Sequence, residues 1–205
     1  MYFSSDFGGE SHIWRQRFPD GQPEQITFGP TQEEGIAMAA DGRSFITAVG
    51  LTHSSVWVHD AQGDRQISLE GYAFGPKFTP DGKRLLYRVR KGNMSELWVA
   101  DLDSGRSEPL LPGFDVASTT GSPRAYDISP DGRQVVMASP DSGGKLRLWL
   151  APLDRSAPRR PIAGLEGEKP VFGENGEIFF RRVEGPLRSF TASAKMEAGS
   201  GRPAT

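Results

Sequence analysis

The chain has 205 residues, enough for one large all-β domain or two small ones, and its 36% apolar content supports a core. It contains no cysteine, which excludes disulfides, thiolate metal sites and cysteine nucleophiles. A formal net charge of -2 gives no electrostatic case for nucleic acid, and no apolar run approaches the ~18 residues that cross a membrane.

The opening Met1 to Asp6 lacks a basic stretch followed by a long apolar run, so it does not read as a signal peptide. The chain then repeats. Its four tryptophans lie in similar strand-like runs: Ile13-Trp14-Arg15, Val56-Trp57-Val58, Leu97-Trp98-Val99 and Leu148-Trp149-Leu150. Each follows an aliphatic residue, and the spacings are 43, 41 and 51. A second marker keeps step with them: Asp41-Gly42, Asp81-Gly82 and Asp131-Gly132, with a relative at Asn175-Gly176. These dipeptides predict two-residue hairpin turns, because both central residues tolerate positive φ. From each Asp to the next Trp is 16, 17 and 18 residues, so both markers belong to one unit.

That unit reads as four strands. The first ends at the Asp-Gly turn. The second leaves it and is strongly apolar, as in Leu85-Leu86-Tyr87 and Val135-Val136-Met137, which predicts burial on both faces. The third carries the tryptophan, expected to be mostly buried in equivalent third strands. The fourth is short and polar, as in Arg65-Gln66-Ile67-Ser68, and suits an exposed edge. Four antiparallel strands every forty to fifty residues predict an all-β propeller over residues 1–192. Whole blades are expected at 31–70, 71–112 and 124–163, partial blades at 1–30 and 167–192, and a disordered tail at 193–205. Gly113 to Pro123 reads as a surface loop inserted between units. About five blades with the outer two incomplete predict an open arc of a larger propeller.

Chemistry-bearing motifs are sparse. No Gly-x-Ser-x-Gly elbow, His-Glu-x-x-His or phosphate loop occurs, and His12, His53 and His59 lack ligand spacing. The sequence therefore predicts no catalytic residue, no metal site and no cofactor. Asp101-Leu102-Asp103-Ser104-Gly105 coincides with a turn of the repeat and lacks the acidic residue that would complete a calcium loop. Charge is uneven: residues 1–141 carry 13 basic and 19 acidic residues, and residues 142–205 carry 11 and 7. A basic patch around Arg155, Arg159 and Arg160 is thus a candidate surface for an acidic partner.

Asp-Gly hairpins preceded by Ser-Pro or Thr-Pro, followed by an Ile-Trp or Leu-Trp strand, resemble the TolB-type propeller repeat, a relative of the WD repeat. The opening Tyr2-Phe3-Ser4-Ser5-Asp6, through Ile13-Trp14-Arg15 to Pro23-Glu24-Gln25-Ile26-Thr27-Phe28, is similar to its most typical form. The arrangement also resembles C-terminal sensor propellers of bacterial serine/threonine kinases and winged-helix regulators. This resemblance implies a bacterial, non-catalytic module for protein interaction or ligand sensing. Its expected partners are a protein or peptide, missing blades or a neighbouring domain, with no nucleic acid and no membrane insertion. It is compatible with a periplasmic parent. The alternative is the propeller of an enzyme whose catalytic part lies elsewhere, a prolyl-oligopeptidase-type peptidase or a kinase. The chain departs from the repeat at Arg188-Ser189-Phe190-Thr191-Ala192, where Phe190 stands in place of a tryptophan or the strand has decayed.

Overall fold

A computed structural model describes residues 1–7, 10–117, 124–184 and 188–195. These form eighteen strands, all paired antiparallel, with no helix among the described residues. The chain divides into two compact units, residues 1–54 and 55–205.

In the first unit, β1 (Tyr2–Ser5), β2 (His12–Arg15) and β3 (Glu24–Gln25) make a three-stranded sheet, and β4 (Gln32–Met38) pairs with β5 (Phe45–Gly50). Trp14 on β2 lies between Phe3 and Gln25. Neighbouring Ile13 is fully buried.

The second unit opens with the hairpin β6 (Trp57–Asp60) and β7 (Gly63–Gln66). A four-stranded meander follows: β8 (Tyr72–Phe78), β9 (Arg84–Lys91), β10 (Met94–Asp101) and β11 (Ser107–Pro109). A second one comprises β12 (Tyr126–Ile128), β13 (Gln134–Pro140), β14 (Leu146–Pro152) and β15 (Arg160–Glu166). The last sheet is three-stranded: β16 (Glu168–Phe172), β17 (Glu177–Glu184) and β18 (Arg188–Lys195).

Alternation along the strands builds the core. On β9, Leu85, Tyr87 and Val89 join Val56, Val58 and Ile67 of the preceding hairpin. Leu86, one residue out of phase, joins Tyr126, Val135 and Met137 of the following sheet. The next strand of this kind, β13, repeats the pattern: Val136 and Ala138 pack with Ile178 and Phe180 of β17. A period-2 strand with apolar residues at successive positions must bury both faces, and β9 and β13 do so.

The Ser/Thr-Pro-Asp-Gly turns are longer than the two-residue hairpins expected. Thr79 N–H bonds the Arg84 carbonyl and Gly82 N–H bonds the Thr79 carbonyl, both at 2.9 Å. Proline fits the second position of such a turn, and Gly82, at φ 68°, takes the left-handed conformation that closes it. The Asp81 carboxylate caps the turn, accepting from Thr79 Oγ1 at 2.5 Å and from Lys83 N–H at 3.1 Å. Ser129 and Asp131 repeat this at 2.5 Å and 3.0 Å. Asn175-Gly176 closes one residue shorter, between Gly173 and Glu177.

Other expectations differ from the structure. The strands of 31–70 form two two-stranded sheets, β4–β5 and β6–β7. The break falls at Thr52-His53-Ser54-Ser55, which offers no apolar residue to a buried ladder. Trp98 is buried, but Trp57 is 47% exposed. Trp98 and Trp149 each pack toward the preceding sheet, and β6–β7 is the first sheet of its unit, with none before it there. Of the Gly113–Pro123 insertion, residues 118–123 lie outside the described residues; Phe114 and Val116 are core, not surface. Phe114 meets the Trp149 ring edge-on at 5.2 Å, and Val116 N–H bonds the Ser95 carbonyl at 2.7 Å. The last third strand is present, with Phe190 opposite Arg182. It continues through Lys195, into the stretch expected as a tail, while 196–205 lie outside the described residues.

Tyr126 ties adjacent sheets together. Its ring is fully buried, and its hydroxyl points at the carbonyls of Gly75 (2.7 Å) and Leu86 (2.8 Å). Burial pushes the phenol far above its ordinary pKa, so it stays a donor. Tyr126→Phe is expected to lower the unfolding free energy by about 1–3 kcal/mol, because buried acceptors lose their donor. Urea denaturation checks this; an unchanged midpoint and slope would remove Tyr126 from the inter-sheet link.

Candidate functional site

A cleft of about 350 Å³ opens between the β8–β11 and β12–β15 sheets of the second unit. Val99 and the buried Leu153 make its apolar floor. Arg84 stands at the start of β9, directly across the ladder from Asp101 at the end of β10. Arg106 and Glu108 come from the edge by β11, and Asp154 and Arg155 from the turn after β14.

The acidic groups here are already engaged. Asp101 accepts from Ser104 N–H and Ser104 Oγ, both at 2.7 Å, which holds its carboxyl below the usual range. Asp154 is likewise lowered, by Ser156, whose N–H reaches it at 2.9 Å. Glu108 pairs with Arg155 at 3.0 Å, and Arg155 also donates to the Pro109 carbonyl at 2.8 Å. Arg155 holds a left-handed backbone, φ 58°, uncommon for a residue with a Cβ. The side chains of Arg84 and Arg106 make no hydrogen bond or ion pair within 4.0 Å among the described residues; Arg84 acts on Asp101 and Asp154 only through its charge. Two guanidinium groups therefore present free donors to the cleft.

A second polar cluster lies in the first unit. Buried Glu33 binds His12 Nδ1 at 2.8 Å and accepts from Thr27 at 2.7 Å and Thr31 at 3.2 Å. Ser4 and Ser11 stand nearby, so serine, imidazole and carboxylate are within one neighbourhood. Both hydroxyls donate to the Glu33 backbone carbonyl, at 2.9 and 3.1 Å, and not to the imidazole. No activated nucleophile results. The cluster fastens β4 to the first sheet.

The repeat markers named from the sequence serve turns and packing, and neither cleft arginine is among them. Of the suspected basic patch, Arg155 lines the cleft. Arg159 is stacked on Phe114 at 4.2 Å and on Trp149 at 5.9 Å, and Arg160 pairs with Leu150 in the ladder. Asp101 to Gly105 is a turn, closed by Gly105 N–H on the Asp101 carbonyl. Among the described residues no three His, Asp or Glu side chains are grouped to hold a metal, and no helix is long and apolar enough to cross a membrane.

No protein-family model matches the chain. The Tol-Pal system protein TolB of Anaeromyxobacter dehalogenans strain 2CP-C is 28% identical over 109 residues, 49% of this chain and 24% of the relative. TolB of Anaeromyxobacter sp. strain K matches to the same extent. The structure of TolB from Acinetobacter baumannii superposes with a TM-score of 0.54 over 95% of this chain and 48% of that one, at 18% identity. A TolB-type protein from Agrobacterium tumefaciens gives 0.56 over 95% and 73%, also at 18% identity. The fold is a TolB-like β-propeller. The matched stretch spans about a quarter of the curated TolB relatives, 24% of their length.

In this TolB-like fold the cleft is an opening between two neighbouring four-stranded sheets of one unit. Sequence reading missed Arg84 and Arg106 because they are far apart along the chain, and it is the pairing within one sheet that sets both beside Asp101, Arg84 across the ladder and Arg106 through its carbonyl to the Asp101 N–H at 2.9 Å.

The Glu33 cluster gives the first unit a pH dependence. Burial raises the Glu33 carboxyl, but the bonds from His12, Thr27 and Thr31 outweigh it and hold the group below its ordinary 4.5. A depressed carboxylate contributes stability above its unfolded value and loses it as pH falls through the folded one. Protection of the β2 and β4 amides, taken relative to intrinsic exchange at each pH, is expected to fall on acidification below about pH 4.5, and Glu33→Gln to abolish most of that dependence. A variant with the parent's acid profile would assign the effect to another group.

Proposed function

We propose that this chain is a non-catalytic protein-interaction module, a propeller segment of a larger bacterial protein that presents an inter-blade cleft to a protein or peptide partner. The observation that carries this reading is the pair of guanidinium groups without a hydrogen-bond partner, Arg84 and Arg106, over an apolar floor in a cleft where three arginines face three acidic side chains. An opening with free donors and an apolar base is suited to holding a side chain. Catalysis would need an activated nucleophile or a poised acid and base. Ser104, the hydroxyl on the rim, spends its proton on Asp101, and no imidazole lines the opening. Similarity to a protein named for the Tol-Pal system supports a role in an assembly, and it favours a periplasmic parent.

Site-specific photo-crosslinking tests the reading. A photoreactive residue at Ser104, in the full-length protein in its native cells, is expected to give a discrete adduct with one polypeptide. The same residue at Arg43, on an exposed turn of the first unit, is expected to give none. Arg84→Glu with Arg106→Glu should reduce the adduct at least several-fold. Equal labelling from both positions, or no adduct from Ser104, would overturn the proposal.

A further inference from the structure

The cleft also points to what it binds. Resting on the interaction-module reading, we propose that it is a carboxylate receptor in which Arg84 and Arg106 clamp a glutamate side chain from an acidic stretch of the partner.

The first argument is a comparison between successive junctions. On β7, Arg65 stands opposite Val58 and donates to the Leu102 carbonyl of the next blade at 3.0 Å. The equivalent position on β11, opposite Val99, is Glu108. A carboxylate cannot donate to the carbonyl of Leu153, which follows Trp149 as Leu102 follows Trp98. Glu108 instead draws Arg155 back across the gap. The outer-strand donor that spans one junction is thus missing from the other, which is crossed in the opposite sense by Arg155 to Glu108 and the Pro109 carbonyl, and the opening lies beside that tie.

The second argument is which ligand fits. Arg84 and Arg106 each carry five N–H donors without an internal acceptor, and a carboxylate answers a guanidinium in a two-pronged pair. Asp101, Glu108 and Asp154 surround them, so each added negative charge on a ligand meets repulsion. A singly charged carboxylate meets the least, which disfavours a phosphate dianion. Val99 and Leu153 accept the methylenes of glutamate, which a shorter aspartate would leave unfilled.

The test uses a fluorescein-labelled decapeptide of alternating glutamate and glycine with an amidated C-terminus, titrated against the whole chain by fluorescence anisotropy. Saturable binding is expected. The glutamine counterpart and the Arg84→Gln/Arg106→Gln variant should each weaken it about tenfold or more. Arg84→Lys/Arg106→Lys keeps the charge without the fork and should fall between. A neutral peptide with a free C-terminal carboxylate separates the sources: if it binds and the amidated glutamate peptide does not, the receptor takes a chain end and the glutamate assignment falls. Arg106 is exposed and its side chain makes no hydrogen bond or ion pair, so Arg106→Gln alone reports if the double variant fails to fold. Equal binding of glutamate and glutamine peptides, or binding unchanged in a folded variant, overturns the carboxylate inference. A Ser104 crosslink that persists with such a result leaves the interaction reading standing; loss of both rejects both.

Discussion

The structure of the second unit depends on one constraint: its inner strands must bury two faces at once. A β-strand sends successive side chains to opposite sides, so Leu85 and Leu86, or Val135 and Val136, enter different cores. Each such strand joins the sheet before it to the sheet after it. Fully burying an aliphatic side chain of this size contributes about 1.5–3 kcal/mol, and the contribution requires both neighbours. A sheet with one neighbour leaves apolar groups in water. Phe179 and Val171, opposite each other on the last sheet, are 41% and 42% exposed while Ile178 and Phe180 on the other face are buried.

Polar links set the angle at which the apolar faces meet. On the first strands of successive sheets, Lys77 Nζ lies 2.5 Å from Asp127 Oδ1, and the other Asp127 oxygen accepts from Phe172 N–H at 2.8 Å. One carboxylate thus connects β8, β12 and β16. Arg88 is enclosed on the face that β9 turns to the next blade, stacked over Phe74 at 4.3 Å and donating to the Val116 carbonyl at 2.9 Å. Its burial lowers the guanidinium to about 10, which still leaves it charged at neutral pH. Such contacts are directional where apolar packing is not, and with Tyr126 they fix the separation of the blades that bound the cleft.

What could be read in advance followed from local chemistry. Pro80-Asp81-Gly82 announces a reversal because proline, a hydroxyl-capping aspartate and a left-handed glycine each suit one position of the turn. Leu85-Leu86-Tyr87 announces burial on both faces. Loop length does not follow from the dipeptide alone: Asp-Gly also occurs in turns that close two residues wider, which the hydroxyls of Thr79 and Ser129 brace and which Ala39 reaches without one. Trp57 looks like Trp98 in sequence; their exposures differ because burial belongs to the neighbouring sheet and not to the residue. The cleft was illegible for a related reason. Arg84 and Arg106 lie 22 positions apart, and the Asp154–Arg155 turn comes from another sheet.

Repetition and function are in tension at that position. A perfect repeat would place the same donor at every junction and close each one in the same way. Arg65 shows the closed arrangement: one guanidinium reaches the next blade's Leu102 carbonyl while remaining 3.4 Å from Asp60 of its own hairpin. Replacing that donor by Glu108 reverses the sign of the position, and the following turn responds: Arg155 adopts a left-handed backbone and reaches back to Glu108 and the Pro109 carbonyl. The backbone strain is of order 1 kcal/mol and is offset by the ion pair and the hydrogen bond it makes possible. Arg84 and Arg106, not needed for this tie, are left facing the opening. The scaffold therefore keeps its apolar period unchanged through the junction, while a single reversal of charge in the outer strand reverses the direction of the polar tie that crosses it.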